Sequence, residues 1–188
     1  MKKIIATLLL FIIYSCADEQ QEAEYSTYES ELSSAQKTAI ITRASKTVGY
    51  SYWWGHARFG NSNTRDFGSC YGSCPNCTHN GRFGADCSGM VAKVWEVPSN
   101  NKLDSPDNHP FSTANFNVDG TYWKKVDRKT IEKADGLVYR TNSSGHVVIY
   151  ESTDAWGHYK VYECKGCLEG CVVNTRPFSS AYKAIRKK

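Results

Sequence analysis

No stretch of this 188-residue chain is both apolar enough and long enough to cross a bilayer as a helix. Residues 4–14 come nearest, apolar apart from Thr7, but they are too short. No segment recurs at the period of a solenoid or propeller. The 14 glycines, five prolines and abundant aromatics break up any long heptad, which excludes a coiled coil. Eight cysteines are too few for a knottin-type scaffold. The formal charge of +4 is modest, and Lys and Arg are scattered rather than striped, so no nucleic-acid partner is expected. What is present is a globular composition. Hydrophobic residues make up 40% and aromatics 13%, enough to bury a core, and the length suits one domain.

The N-terminus reads as an address. Lys2 and Lys3 precede the apolar residues 4–14, and Ser15-Cys16 closes the segment. This resembles a bacterial lipoprotein signal over residues 1–15, in which Cys16 is lipidated and becomes the new terminus. An ordinary signal peptide with an incidental Cys has the same apolar stretch. Residues 17–31 hold six acidic side chains and no basic one, the pattern of a disordered tether. The acidic stretch also resembles surface-export signals of some lipoproteins. Residues 16–31 are therefore expected to hold the chain to a membrane, at the outer membrane or cell surface, with a periplasm-facing anchor as the alternative. Without Lys2, Lys3 and those six acids, residues 32–188 carry about +8. That charge suits an anionic polymer such as cell wall, although solubility alone would also explain it.

Helical signals come first in the remaining chain. Ser33 or Ser34 can cap a helix over 35–48, with Ile40, Ile41, Ala44 and Val48 as its apolar stripe and Gly49 as its stop. Residues 56–85 are rich in Gly, Asn, Ser and Cys, and read as an irregular insertion held by its cysteines. A second helix is expected over 87–97, ended by Pro98, followed by loop over 99–120. Strands follow at 136–140, 145–151, 159–164, 172–174 and 182–186. Helices followed by consecutive strands predict an α+β fold, with N-terminal helices on an antiparallel sheet of about five strands.

Three residues carry the candidate chemistry. Cys87, in Asp86-Cys87-Ser88-Gly89, opens the second helix. There the unpaired N–H groups and the helix dipole favour a thiolate nucleophile; a structural thiol is the other reading. His146 starts a strand after Gly145 and can point into a cleft; alone it would read as a surface histidine. A hairpin centred between Asp154 and Ala155 sets His146 directly opposite Glu163. The carboxylate can then hold one ring nitrogen and free the other for Cys87. A slip of one residue would turn Glu163 away and bring His158 or Tyr162 into consideration.

At these residues the chain resembles the NlpC/P60 family of papain-like cysteine peptidases. The matching segments are Tyr52-Trp53-Trp54-Gly55, Asp86-Cys87-Ser88-Gly89, Asp135-Gly136-Leu137-Val138 and His146-Val147-Val148-Ile149-Tyr150, in family order over residues 35–186. The resemblance implies a papain-like fold over 32–188 and a hydrolase of peptidoglycan stem peptides, often cutting between D-Glu and a diamino acid. It implies Cys87 as nucleophile, His146 as general base and then acid, and Glu163 at the third polar position. It further implies Tyr52 lining the nucleophile's pocket and Asp86 and Ser88 contacting substrate. No cofactor or metal is implied, and a monomer is expected. The chain departs from the family in its long 56–85 segment, in Glu rather than His at the third position, and in the Asp-Gly order at 135–136.

Six further cysteines, Cys70, Cys74, Cys77, Cys164, Cys167 and Cys171, form two clusters. An even number in an exported chain favours three disulfides, with zinc as the alternative. The spacing cannot choose among fifteen pairings. Stapling the first cluster to the second would pin the insertion over one rim of the cleft. Competing activities are an amidase or acyl transferase using the same Cys and His. A non-catalytic surface-binding lipoprotein on the same scaffold is the remaining alternative.

Overall fold

The computed structural model describes residues 31–58, 67–98 and 110–188. The signal, Cys16 and nearly all of the acidic tether lie outside these residues. The fold is α+β. Among the described residues no helix is long and apolar enough to cross a membrane.

Helix α1 runs over Ser34–Lys46. Its capping box has Ser33 accepting from the Gln36 N–H while the Gln36 side chain accepts from the Ser33 N–H. Ile40, Ile41 and Ala44 are its buried face. Gly49 follows at φ +94°, and a Cβ there would lie 2.8 Å from the Phe67 ring, so glycine is required. Its N–H bonds the Cys171 carbonyl, and the Cys171 N–H bonds the Tyr50 carbonyl. These two bonds clamp the chain entering β1 (Ser51–Tyr52) against a distant strand.

The predicted insertion has more regular structure than its composition suggests. It contains β2 (Ala57–Arg58), a hairpin of β3 (Ser69–Tyr71) and β4 (Thr78–Asn80), and β5 (Gly84–Ala85). β5 lies between β1 and β2 in a small sheet, with Tyr52 level with Ala85. That pairing leads directly into α2 (Cys87–Val94). α2 stops three residues short of the expected end: Glu96 takes φ +52°, and Pro98 prevents continuation. A four-residue helix α3 (Thr113–Phe116) lies in the segment expected to be loop.

All five expected strands form. They are β7 (Gly136–Arg140), β8 (Gly145–Thr153), β9 (Tyr159–Gly166), β10 (Gly170–Arg176) and β11 (Lys183–Lys187). A sixth, β6 (Trp123–Val126), adds an edge that the mixed sequence Trp-Lys-Lys-Val did not signal. The antiparallel sheet has the order β10-β9-β8-β7-β11-β6. One face packs Val147, Ile149 and Tyr162 against Met90, Val91, Val94 and the α1 stripe. The other face packs Leu137, Val148, Val161, Phe178 and Ala184. This two-sided burial explains the unbroken Val-Val-Ile-Tyr run of β8, since successive side chains enter opposite cores. Arg186 forks onto both oxygens of Asp135, at 2.9 and 2.8 Å, tying β11 to the entrance of β7.

Candidate active site

Asp86 fixes the start of α2. One carboxylate oxygen accepts from the Gly89 N–H at 2.7 Å and the Ser88 hydroxyl at 3.1 Å. The other accepts from the Gly55 N–H at 2.9 Å. The same side chain therefore caps the helix and holds the Tyr-Trp-Trp-Gly segment beside it. Asp86 and Ser88 line the cavity, as a substrate contact requires, while their polar groups also organise the helix start.

Cys87 is the one cysteine among the described residues outside a disulfide, and it is buried. Burial pushes its thiol up to about 12, and the negative charge of Asp86 adds to that shift. The backbone N–H groups of Val147, Ser88 and Cys87 itself oppose it. The helix terminus alone favours thiolate, as expected, but the Asp86 cap brings a full negative charge to the same place. The balance of these influences favours the neutral thiol. The Val147 N–H reaches it from the residue next to His146. Tyr52 sits close by: burial pushes its phenol upward, and negative charge on Cys87 or Asp86 adds to the shift, so it stays protonated.

His146 lies at the start of β8, and its Nε2 is 2.7 Å from an oxygen of Glu163. Glu163 is completely buried. Burial by itself would raise its carboxyl, but hydrogen bonds from His146, Arg176 and Asn174 outweigh that and hold it at about 2. An ionised carboxylate only accepts, so Nε2 donates to it and Nδ1 is the ring nitrogen left for another partner. Ile149 pairs with Tyr162, and an extra residue between Tyr150 and Ser152 shifts the ladder. Continuing that register puts Val148 opposite Glu163, two residues from the expected pairing. The turn is centred later than expected, closing with the Asp154 N–H on the His158 carbonyl. A shift of two preserves the face, so Glu163 reaches His146 as its diagonal neighbour rather than its direct partner.

Two partners of Glu163 were not singled out in the sequence. Asn174 donates to one carboxylate oxygen at 3.0 Å. Arg176 donates to both, at 3.2 and 2.9 Å, and stacks over Phe178 at 3.9 Å. Both lie on β10, where Val172 is opposite Glu163. Val172, Asn174 and Arg176 alternate along the strand, which places two polar side chains on one face. That alternation was the available signal.

A cavity of about 580 Å³ opens in front of Cys87. Trp54, Gly55, Asp86 and Ser88 form part of its wall, facing Phe111, Thr113, Arg140 and Gly145. Pro75 of the cysteine-rich segment also lines it. All six clustered cysteines are in disulfides, Cys70–Cys77, Cys74–Cys167 and Cys164–Cys171. One of the three joins the two clusters. It fastens the residue preceding Pro75 to the β9–β10 connection, so the insertion meets the cavity rim. The sulfurs of Cys70, Cys77 and Cys167 lie within 4.8 Å of one another, but each is already committed to a disulfide. No protein-family model and no curated protein matches the chain.

Proposed function

We propose that the protein is a cysteine peptidase with a papain-like fold of the NlpC/P60 kind. Its substrate is the peptide stem of peptidoglycan, cut between D-Glu and the following diamino acid. One observation carries the reading: a buried thiol at a helix start is touched by the N–H of Val147, the residue after a histidine that a fully buried, ionised Glu163 orients. That is the order nucleophile, base, orienting carboxylate.

The chemistry is acyl transfer. As substrate enters, the Cys87 S–H proton passes to His146 Nδ1 and the sulfur attacks the amide carbonyl carbon. Backbone N–H groups at the start of α2 stabilise the oxyanion. Collapse breaks the C–N bond, and the imidazolium gives its proton to the leaving amine. His146 then takes a proton from water, which attacks the thioester and regenerates the thiol. Glu163 stabilises the imidazolium in both halves, and Asn174 and Arg176 hold Glu163. Tyr52 is buried close to the thiol, behind the cavity wall. The three disulfides suit an oxidising compartment, and an exported, lipid-anchored chain is the setting proposed for this activity.

The test is mass spectrometry of soluble products after incubating the protein with cell-wall sacculi, with Cys87→Ala as control. The proposal expects peptides ending in D-Glu, absent with the variant. Release of whole stems cut before L-Ala would indicate an amidase. Absence of any Cys87-dependent product would overturn the hydrolase reading.

A further inference from the structure

The cavity wall carries a carboxylate and a guanidinium, and the two differ in how far their hydrogen-bonding capacity is met within the protein. The Asp86 carboxylate accepts from three protein donors. The Arg140 guanidinium donates to the Thr113 hydroxyl at 3.2 Å and makes no ion pair among the described residues. Other arginines are used differently. Arg176 and Arg186 are held by buried carboxylates, and Arg128 by the carbonyls of Phe178, Ser179 and Tyr182. A guanidinium has five N–H donors in a planar fork, so Arg140, which is exposed and lines the cavity, keeps most of its donors for cavity or solvent partners.

Its position is built by the surrounding chain. Arg140 ends β7 level with Gly145, the first residue of β8. The turn between them is locked by the Thr141 N–H on the Ser144 carbonyl and the Ser144 N–H on the Thr141 hydroxyl. A Cβ on Gly145 would lie 2.4 Å from the Thr113 hydroxyl and 3.0 Å from Arg140 Cδ. Only glycine lets Thr113 and Arg140 close together on this wall.

Resting on the proposed peptidase reading, we infer that Arg140, supported by Thr113, is a specificity-determining residue that binds a free carboxylate of the substrate beside the scissile amide. A carboxylate matches the guanidinium fork with two parallel hydrogen bonds, whereas a carboxamide offers one acceptor and no charge. The enzyme would therefore discriminate between stems whose D-Glu α-carboxylate is free and stems in which it is amidated.

The experiment uses the full chain and two synthetic stem tripeptides, L-Ala-γ-D-Glu-diamino acid and its α-carboxamide. Binding is measured by calorimetry with Cys87→Ala, and kcat/KM with the active protein, each with and without Arg140→Gln. The expected result is a preference for the free acid of ~10–100-fold, the range for hydrogen bonds to a charged group. Arg140→Gln should collapse the acid-to-amide ratio towards one in both measurements, and Arg140→Lys should restore part of it. Equal affinity for acid and amide, an unchanged ratio in Arg140→Gln, or no binding of either peptide would overturn the inference. An acid preference in Cys87→Ala alongside no turnover by the active protein would sustain the carboxylate site and refute the peptidase reading.

Discussion

Burial and the Asp86 charge both favour the neutral thiol of Cys87, and in the proposed mechanism His146 takes its proton. Iodoacetamide reacts with thiolate, so Cys87 alkylation is expected to be slow at pH 7 and to accelerate as pH passes 9 towards about 12. The pH–rate profile of alkylation, followed by intact mass, checks this; rapid labelling at neutral pH would contradict it. Glu163 behaves oppositely. Its folded-state carboxyl lies near 2 against an ordinary 4.5, so its contribution to stability is present above 4.5 and is lost as pH falls towards 2. Glu163→Gln is expected to lower kcat by ~10–100-fold, short of the full general-base contribution. It should also lower the urea midpoint at neutral pH. That difference should shrink at pH 2–3, where the wild type loses its own charge. A pH-independent difference would show that packing, not charge, carries the effect.

At the scale of elements, β7 to β11 were legible because their apolar runs and alternations are strong and the turns between them carry Gly, Asn, Asp or Ser. The α1 cap was legible from Ser33 and the Gly49 stop. The hairpin register was not. The extra residue near Glu151 depends on how both sheet faces pack, and no local pattern announces it. The His146–Glu163 contact was nevertheless anticipated, because a shift of two keeps both side chains on one face. Asn174, Arg176 and Arg140 were missed for a different reason: each gains meaning from a partner on another strand or helix. α3 and β6 are short elements whose stability comes from tertiary burial of Phe116 and Trp123 rather than from local propensity. Gly145 gives the element-scale prediction. Gly145→Ala forces a Cβ against Thr113, and should cost about 1–3 kcal/mol of stability. Chemical denaturation would show this, and a wild-type midpoint would mean that the β7–β8 wall yields freely.

At the scale of the whole molecule, the disulfides divide into local and long-range ties. Cys70–Cys77 and Cys164–Cys171 each close a separation of seven residues, while Cys74–Cys167 closes one of 93. Chain entropy assigns about 4.7 kcal/mol to the long loop and about 2.5 to a short one. Replacing Cys74 and Cys167 by Ser should therefore lower Tm more than replacing Cys70 and Cys77. It should also raise KM, because Pro75 leaves the cavity rim. Equal Tm losses and an unaltered KM would show that the insertion neither spans nor shapes the site. The cationic charge of residues 32–188 and the cavity before Cys87 both fit an anionic peptide polymer. They acquire catalytic meaning only if the thiol forms a covalent intermediate. The most direct measurement is rapid-quench intact-mass spectrometry of the full chain mixed with L-Ala-γ-D-Glu-diamino acid. The expected result is a transient adduct of the L-Ala-γ-D-Glu acyl group, mapped to Cys87, decaying as free dipeptide appears and absent in Cys87→Ala. Cleavage that persists in Cys87→Ala, or an acyl group mapped to any other residue, would contradict it.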